Sequence, residues 1–130
     1  DGIHVGQKDM EAGNVRALVG DDMLIGVSAQ TVEQALAAEA AGADYLGVGA
    51  VFDTTTKLDA NSVCHETVRK ICAAVSIPVV AIGGINRTNL MELSGSGVDG
   101  VALVSAVFAA ENIESECRVL RALSEKMVQQ

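Results

Sequence analysis

The sequence predicts an α/β fold built on a parallel sheet, and three observations carry that expectation. Short apolar strand segments alternate with helical segments along all 130 residues. An Asp followed by alternating apolar positions recurs at Asp1-Gly2-Ile3-His4-Val5, Asp44-Tyr45-Leu46-Gly47-Val48 and Asp99-Gly100-Val101-Ala102-Leu103, the later two each preceded by a helical stretch ending in Gly. The composition is 49% hydrophobic but only 2% aromatic, so the core must be made of small and branched aliphatics, as in tightly packed βα units.

Five strands are expected, near residues 2–6, 24–28, 45–52, 79–83 and 100–105, each followed by a helical candidate. After the first strand, Asp9 suits a helix N-cap or a carboxylate at the strand's end. Thr31-Val32-Glu33-Gln34 is a capping box opening an Ala-rich helix that closes at Gly42. Val68, Ile71, Cys72 and Val75 have helical spacing within Cys64 to Ala74, and the pattern stops before Pro78, the one proline. The next helical candidate takes its cap from Asn86 or Thr88 and closes at Gly95 or Gly97. From Asn112 onward, Ile113, Cys117, Leu120 and Leu123 fall on one stripe of an amphipathic helix.

Two parallel architectures fit strands alternating with helices. A doubly wound dinucleotide fold needs G-x-G-x-x-G opening a helix, whereas Gly47-Val48-Gly49 runs on into Ala50-Val51-Phe52, which is strand-like. The expectation is therefore βα units of a TIM barrel, about five of its eight, forming one partial domain over residues 1–130. A whole barrel takes about 200 residues or more. The first copy of the repeat begins at its strand, so the chain is expected to lack the front part of the barrel.

A formal net charge of -8 repels nucleic acid and anionic membrane surfaces. No apolar run approaches the ~18 residues of a membrane span, so a cytoplasmic location is expected. Cys64, Cys72 and Cys117 lack metal-ligand spacing and are expected to be buried free thiols.

The strongest chemical signal is a pair of strand ends, Ala81-Ile82-Gly83-Gly84-Ile85 and Ala102-Leu103-Val104-Ser105-Ala106. Loops after the last two strands of a barrel commonly bind phosphate through backbone N–H groups, and Gly lets the anion approach the backbone; a simple tight turn is the alternative. After the third strand, Asp53-Thr54-Thr55-Thr56-Lys57 offers three hydroxyls and a mobile cation for phosphate oxygens, or a solvated loop. Ser28, at the end of the second strand, can hydrogen-bond a ligand or cap the next helix. Asp9 can ligate Mg²⁺, a hard ion that often bridges to substrate phosphates, or cap a helix.

Taken together, Gly2-Ile3-His4-Val5-Gly6-Gln7-Lys8-Asp9, Gly26-Val27-Ser28, Tyr45 to Phe52 with Thr54, Thr56 and Lys57, Val80-Ala81-Ile82-Gly83-Gly84-Ile85-Asn86 and Val104-Ser105 resemble the thiamine-phosphate synthase family. The motifs run in order over nearly the whole chain and match strands four to eight of that family's barrel. The resemblance implies a transferase of thiamine biosynthesis that joins 4-amino-2-methyl-5-hydroxymethylpyrimidine diphosphate to thiazole phosphate, giving thiamine phosphate and diphosphate. It implies a pyrimidine carbocation captured by the thiazole nitrogen, with Mg²⁺ stabilising the leaving diphosphate.

Carried over residue by residue, Asp9 would ligate Mg²⁺, Ser28 would contact the pyrimidine substrate, and Lys57 would bind its diphosphate, these last two being the catalytic candidates. Thr54, Thr55 and Thr56 would line the thiazole-phosphate site, with Gly84, Val104 and Ser105 holding the phosphate. Asp53 stands where the family often has proline, Leu58 where it often has proline or a polar residue, and Lys8 where it often has an acidic residue. The family's Gln-x-Arg diphosphate cradle and Asn-Asp pair belong to earlier strands. The alternatives are a thiazole tautomerase, whose histidine position is Gln30 here, and a non-catalytic phosphate-binding half-barrel that self-associates through its open edges. The expected partners are small phosphorylated molecules and either a second copy of the chain or the missing N-terminal half.

Overall fold

The computed structural model describes residues 1–52 and 63–129. Five strands, β1 (Gly2–Val5), β2 (Leu24–Ala29), β3 (Tyr45–Val48), β4 (Val79–Ile82) and β5 (Gly100–Ala102), form one parallel sheet in sequence order. The connecting helices are α1 (Ala12–Val19), α2 (Val32–Ala40), α3 (His65–Ala74), the short α4 (Ser105–Phe108) and α5 (Ile113–Val128). The α/β parallel sheet thus follows the sequence expectation.

Sequential strand order has a geometric consequence. Right-handed crossovers between neighbouring parallel strands place every helix on the same face of the sheet. The helix-covered face carries the core, with Ile25, Val27, Ala29, Leu46, Val48, Val79 and Ala81 all buried. The opposite face carries alternate positions and stays open, with Leu24 57% and Ile82 40% exposed.

Register is set by the repeated Asp that precedes a strand. The Asp44 N–H donates to Ile25 O (2.7 Å) and its carboxylate accepts the Ile25 N–H (2.8 Å). Asp99 does the same to Val79, at 2.8 and 2.9 Å. Each Asp therefore grips both polar groups of one residue at the start of the neighbouring strand. The Arg16 guanidinium completes the first grip, donating to Asp44 (2.7 Å) and to the carbonyls of Gly20 (2.9 Å), Met23 (2.6 Å) and Gly42 (2.9 Å). The Ile25 N–H, and then Arg16, hold the Asp44 carboxyl below its ordinary value of 3.8.

The helices depart from expectation in places. Thr31 caps α2 as expected, accepting the Gln34 N–H (3.1 Å), while Gln34 reaches back to the Gln30 N–H (2.8 Å). Asp9 does not cap α1, whose N-cap is Glu11; the Asp9 carboxylate turns back onto the Gly6 N–H (2.7 Å). After β4 only a single 3₁₀ turn forms, Leu90–Leu93, because Asn86 captures the local donors, accepting the Thr88 N–H and hydroxyl at 2.9 and 2.6 Å. Positive φ at Gly95 (78°) and Gly97 (96°) turns the chain there. In α5 Leu120 is buried and Leu123 packs against the core as expected, with Met127 buried beyond them, whereas Ile113 and Cys117 of the expected stripe are exposed. Cys64 is exposed as well and Cys72 half-buried, which corrects the expectation of three buried thiols. Burial, with Asp99 nearby, pushes the Cys72 thiol up to about 11.

β3 and β5 end earlier than the periodicity suggests. Past Val48 the chain is still tied to the next strand's end, with the Val51 and Phe52 N–H groups donating to Ile82 O (3.0 Å) and Gly83 O (3.1 Å). A Cβ on Gly49 would sit 2.1 Å from Ile82 O, so close approach demands glycine there.

On the open face, two rings lie over glycines. His4 and Tyr45 both stand opposite Gly26 in register, and a Cβ on Gly26 would fall 2.1 Å from the Tyr45 ring. A Cβ on Gly47 would fall 3.2 Å from the His4 ring. Gly26→Ala is expected to destabilise the fold by about 1–3 kcal/mol through overpacking. In a urea-unfolding double-mutant cycle, Tyr45→Ala should recover much of that loss; full additivity would show that the ring is not the obstacle. The pH dependence of Asp44 follows from its lowered carboxyl. Its stabilisation is fully present above its ordinary value of 3.8 and is lost as pH falls through the lower folded value. The gap in melting temperature between the wild type and Asp44→Asn should therefore be constant near neutrality and close below about pH 4.

Candidate functional site

The carboxyl ends of the parallel strands converge on one end of the sheet, where βα folds present their ligand-binding loops. On the β4–β5 side, Gly83 and Gly84 adopt φ of 103° and 66°, a backbone that side chains with a Cβ rarely accept. A Cβ on Gly83 would fall 2.5 Å from the Ala50 Cβ. Asn89 Nδ2 donates to Gly84 O (2.8 Å), and its Oδ1 accepts the Asn86 N–H (2.8 Å). Fixing the Gly84 carbonyl fixes the whole planar peptide, so the Ile85 N–H points the opposite way.

Gly84 and Ser105 line one cleft of about 380 Å³, together with Asn86, Asn89, Ala106 and Ala109. Ser105 opens α4, where the first backbone N–H groups have no intrahelical partner. Val104, just before it, is 66% exposed. Among the described residues, the cation next along the chain from this cleft, Arg87, is already engaged. Arg87 makes a two-pronged ion pair with Glu116 on α5, which holds the Glu116 carboxyl below its usual range. Among the described residues the cleft is therefore lined by backbone, the Ser105 hydroxyl and the carboxamides of Asn86 and Asn89, with no charged side chain.

On the β1–β2 side, Gly6 and Asp9 close a turn, with the Asp9 N–H donating to Gly6 O (3.1 Å) opposite the Gly6-to-carboxylate bond. Among the described residues no three His, Cys, Asp or Glu side chains converge on a metal-sized site. Gln7 Nε2 donates to Ser28 O (2.7 Å), tying the loop after β1 to the end of β2. Ser28 Oγ is hydrogen-bonded to His4 Nε2 (2.8 Å), and His4 Nδ1 to the Tyr45 hydroxyl (3.0 Å). Gln30 is a structural tie, its amide donating to Gly49 O (3.2 Å).

Of the residues singled out in the sequence, the structure brings Gly84 and Ser105 together, with Val104 adjacent, and sets Ser28 and Asp9 on neighbouring strand ends. Asp9 follows β1 and Gly84 follows β4, three strand spacings or roughly 14 Å across the sheet. Lys57, Thr54, Thr55 and Thr56, with Asp53 and Leu58, lie outside the described residues. His4 and Tyr45 had no role assigned from sequence. A signal was present: the one tyrosine and one of two histidines sit at outward strand positions, where apolar residues would be expected to alternate with polar loops.

Comparison with known proteins bears on the same residues. A family model described as thiamine monophosphate synthase matches residues 1–107. Thiamine-phosphate synthase of Clostridium tetani is 49% identical over 120 residues, covering 92% of this chain and 57% of the relative. That of Ruminiclostridium cellulolyticum is 51% identical, with the same two coverages, 92% and 57%. The solved thiamine phosphate pyrophosphorylase from Pyrococcus furiosus superposes with a TM-score of 0.90 at 43% identity, covering 98% of this chain and 61% of that one. The chain thus spans less than two thirds of the length of these relatives. With the motifs in order, the glycine-bounded cleft between β4 and β5, and the match over residues 1–107, the chain belongs to the thiamine monophosphate synthase family.

Proposed function

We propose that this chain carries the thiazole-phosphate half of a thiamine-phosphate synthase, which joins 4-amino-2-methyl-5-hydroxymethylpyrimidine diphosphate to thiazole phosphate and releases diphosphate. The observation that carries the reading is the single cleft shared by Gly84 and Ser105. A phosphate there takes hydrogen bonds from backbone N–H groups and the Ser105 hydroxyl, donors that act on an anion without a formal positive charge. In a chain of net charge -8, such local dipoles rather than the bulk field hold the substrate. Ser28 contacts the pyrimidine at the end of β2. By resemblance alone, Lys57 binds the diphosphate and Thr54, Thr55 and Thr56 line the thiazole-phosphate site.

Asp9 fits Mg²⁺ held largely by substrate. One carboxylate oxygen is committed to the Gly6 N–H (2.7 Å), and among the described residues the other has no hydrogen-bond partner. That ion commonly takes one or two carboxylates and completes its shell with water and substrate phosphates. Bound there, Mg²⁺ would neutralise charge developing on the leaving diphosphate. The protein's own task is to hold the two substrates in line and keep water from the cation formed between them.

The five strands in sequence order, with all helices on one face, suit five of the eight units of a closed barrel, and the 61% coverage of the Pyrococcus chain agrees with that share. Small phosphorylated substrates and the lack of any membrane-crossing helix among the described residues support a cytoplasmic location.

Thiazole phosphate titrated into the chain by calorimetry should bind, and Gly84→Ala should weaken it roughly tenfold, about 1.4 kcal/mol. Gly95→Ala imposes the same backbone strain at φ 78°, with nothing near its Cβ, and should leave affinity unchanged. No binding, or equal losses in both variants, would refute the phosphate site. One feature favours a self-associating reading as well: among the described residues β1 and β5 each have one strand neighbour, leaving two unpaired edges. Sedimentation of the 130-residue chain should show a dimer or larger species, whereas a stable monomer would count against any need to cover those edges.

A further inference from the structure

We propose that Tyr45 and His4 form a directed hydrogen-bond relay that makes the Ser28 hydroxyl a donor toward the open face of the sheet, so that the site there selects a ring carrying a hydrogen-bond acceptor. This rests on the reading that Ser28 contacts the pyrimidine. It adds two positioning residues and a direction for the proton.

The geometry starts with three strands. Tyr45 opens β3, His4 lies in β1, and Ser28 stands near the end of β2, so the chain of contacts runs from the amino end of the sheet toward its ligand-binding end. The His4 ring bridges the two hydroxyls, with Nδ1 at 3.0 Å from Tyr45 and Nε2 at 2.8 Å from Ser28. The glycines opposite, Gly26 and Gly47, leave room for both rings.

A neutral imidazole has one donor and one acceptor, so two arrangements are available. In one, Ser28 donates to Nε2 and the Nδ1–H donates to Tyr45; the phenolic proton then has no acceptor among the described residues, because His4 is its sole partner there. In the other, Tyr45 donates to Nδ1, the Nε2–H donates to Ser28 Oγ, and the Ser28 proton is free to point outward. A phenol is a better hydrogen-bond donor than an aliphatic hydroxyl. Each arrangement leaves one hydroxyl proton without a partner among the described residues, that of Tyr45 in the first and that of Ser28 in the second; the stronger phenol donor selects the second, which gives Ser28 one direction in which to donate.

The surface around it suits an uncharged ring. The outward positions of β1 to β3 are Gly2, His4, Leu24, Gly26, Ser28, Tyr45 and Gly47, none an acid, lysine or arginine. An uncharged surface made by the His4 and Tyr45 rings over their glycines, with one fixed donor, recognises a planar heterocycle through a ring nitrogen and discriminates against a ring that offers only an N–H at that point.

Direct observation of the tautomer tests this. In the 130-residue chain labelled with ¹⁵N-histidine at about pH 8, above the ordinary histidine range, long-range ¹H–¹⁵N spectra distinguish Nδ1–H from Nε2–H, and His65→Gln assigns the two histidines. His4 is expected as the Nε2–H form, and Tyr45→Phe should shift its population toward Nδ1–H. A wild-type Nδ1–H or doubly protonated ring overturns the relay, whatever the variant does; so does a spectrum unchanged in a folded Tyr45→Phe chain. The probe 2-methylpyrimidin-4-amine separates this from the functional reading. Ser28→Ala should weaken its binding about tenfold, and unchanged binding beside an Nε2–H tautomer would overturn the contact between Ser28 and the ring while leaving the relay in place.

Discussion

An aspartate placed just before a strand, gripping both polar groups of one residue on the neighbouring strand, is the constraint on which the remaining structure depends. Asp44 holds Ile25 and Asp99 holds Val79 through the same pair of hydrogen bonds. Side chains alternate along a strand, so a slip of one residue would move every core side chain to the open face and every outward group into the helices. By pinning the register at the start of a strand pair, the aspartates decide that Leu46 and Val48 are buried while Tyr45 and Gly47 face outward. Arg16 extends that control by binding Asp44 together with carbonyls from the ends of α1 and α2.

From this register follows a division of labour between the two ends and two faces of the sheet. Aliphatics too small to leave gaps fill the helix-covered face, and Ala35, Ala81 and Ala29 are almost wholly buried there. The open face uses glycine as a recess, over which the rings of His4 and Tyr45 fit. At the carboxyl end, Gly83 and Gly84 turn the chain through positive φ beside a cleft of about 380 Å³ that no charged side chain among the described residues lines.

Much of this was legible in the residues because it depends on local chemistry. The Thr31 cap, the stop before Pro78 and the turn at Gly42 each involve neighbours in sequence, and each appears where expected. The 3₁₀ turn after β4 was missed because Asn86 and Asn89 satisfy their hydrogen bonds among themselves, outside any helical ladder. The stripe of α5 holds at Leu120 and Leu123 and fails at Ile113 and Cys117, because periodicity names a face but not how far along it the core reaches; here the core reaches Met127 instead. Cysteine burial failed for a related reason: composition predicts that thiols prefer the interior, yet Cys64 lies exposed just before α3 and Cys117 on an outward position of α5.

By itself the sequence determined the fold class, the order of strands and helices, the family, and the two glycine and serine strand ends that meet in the cleft. These are encoded in period, punctuation and motif, which need no knowledge of what lies across the sheet. Only the tertiary structure decided that Gly84 and Ser105 border the same space, that the repeated aspartate is a register clamp, and that Tyr45, His4 and Ser28 join into one hydrogen-bonded line. Those three residues come from three different strands, with His4 and Tyr45 separated by 41 positions. Such contacts exist only once parallel pairing has fixed which outward side chains stand side by side, and alternation alone does not supply that.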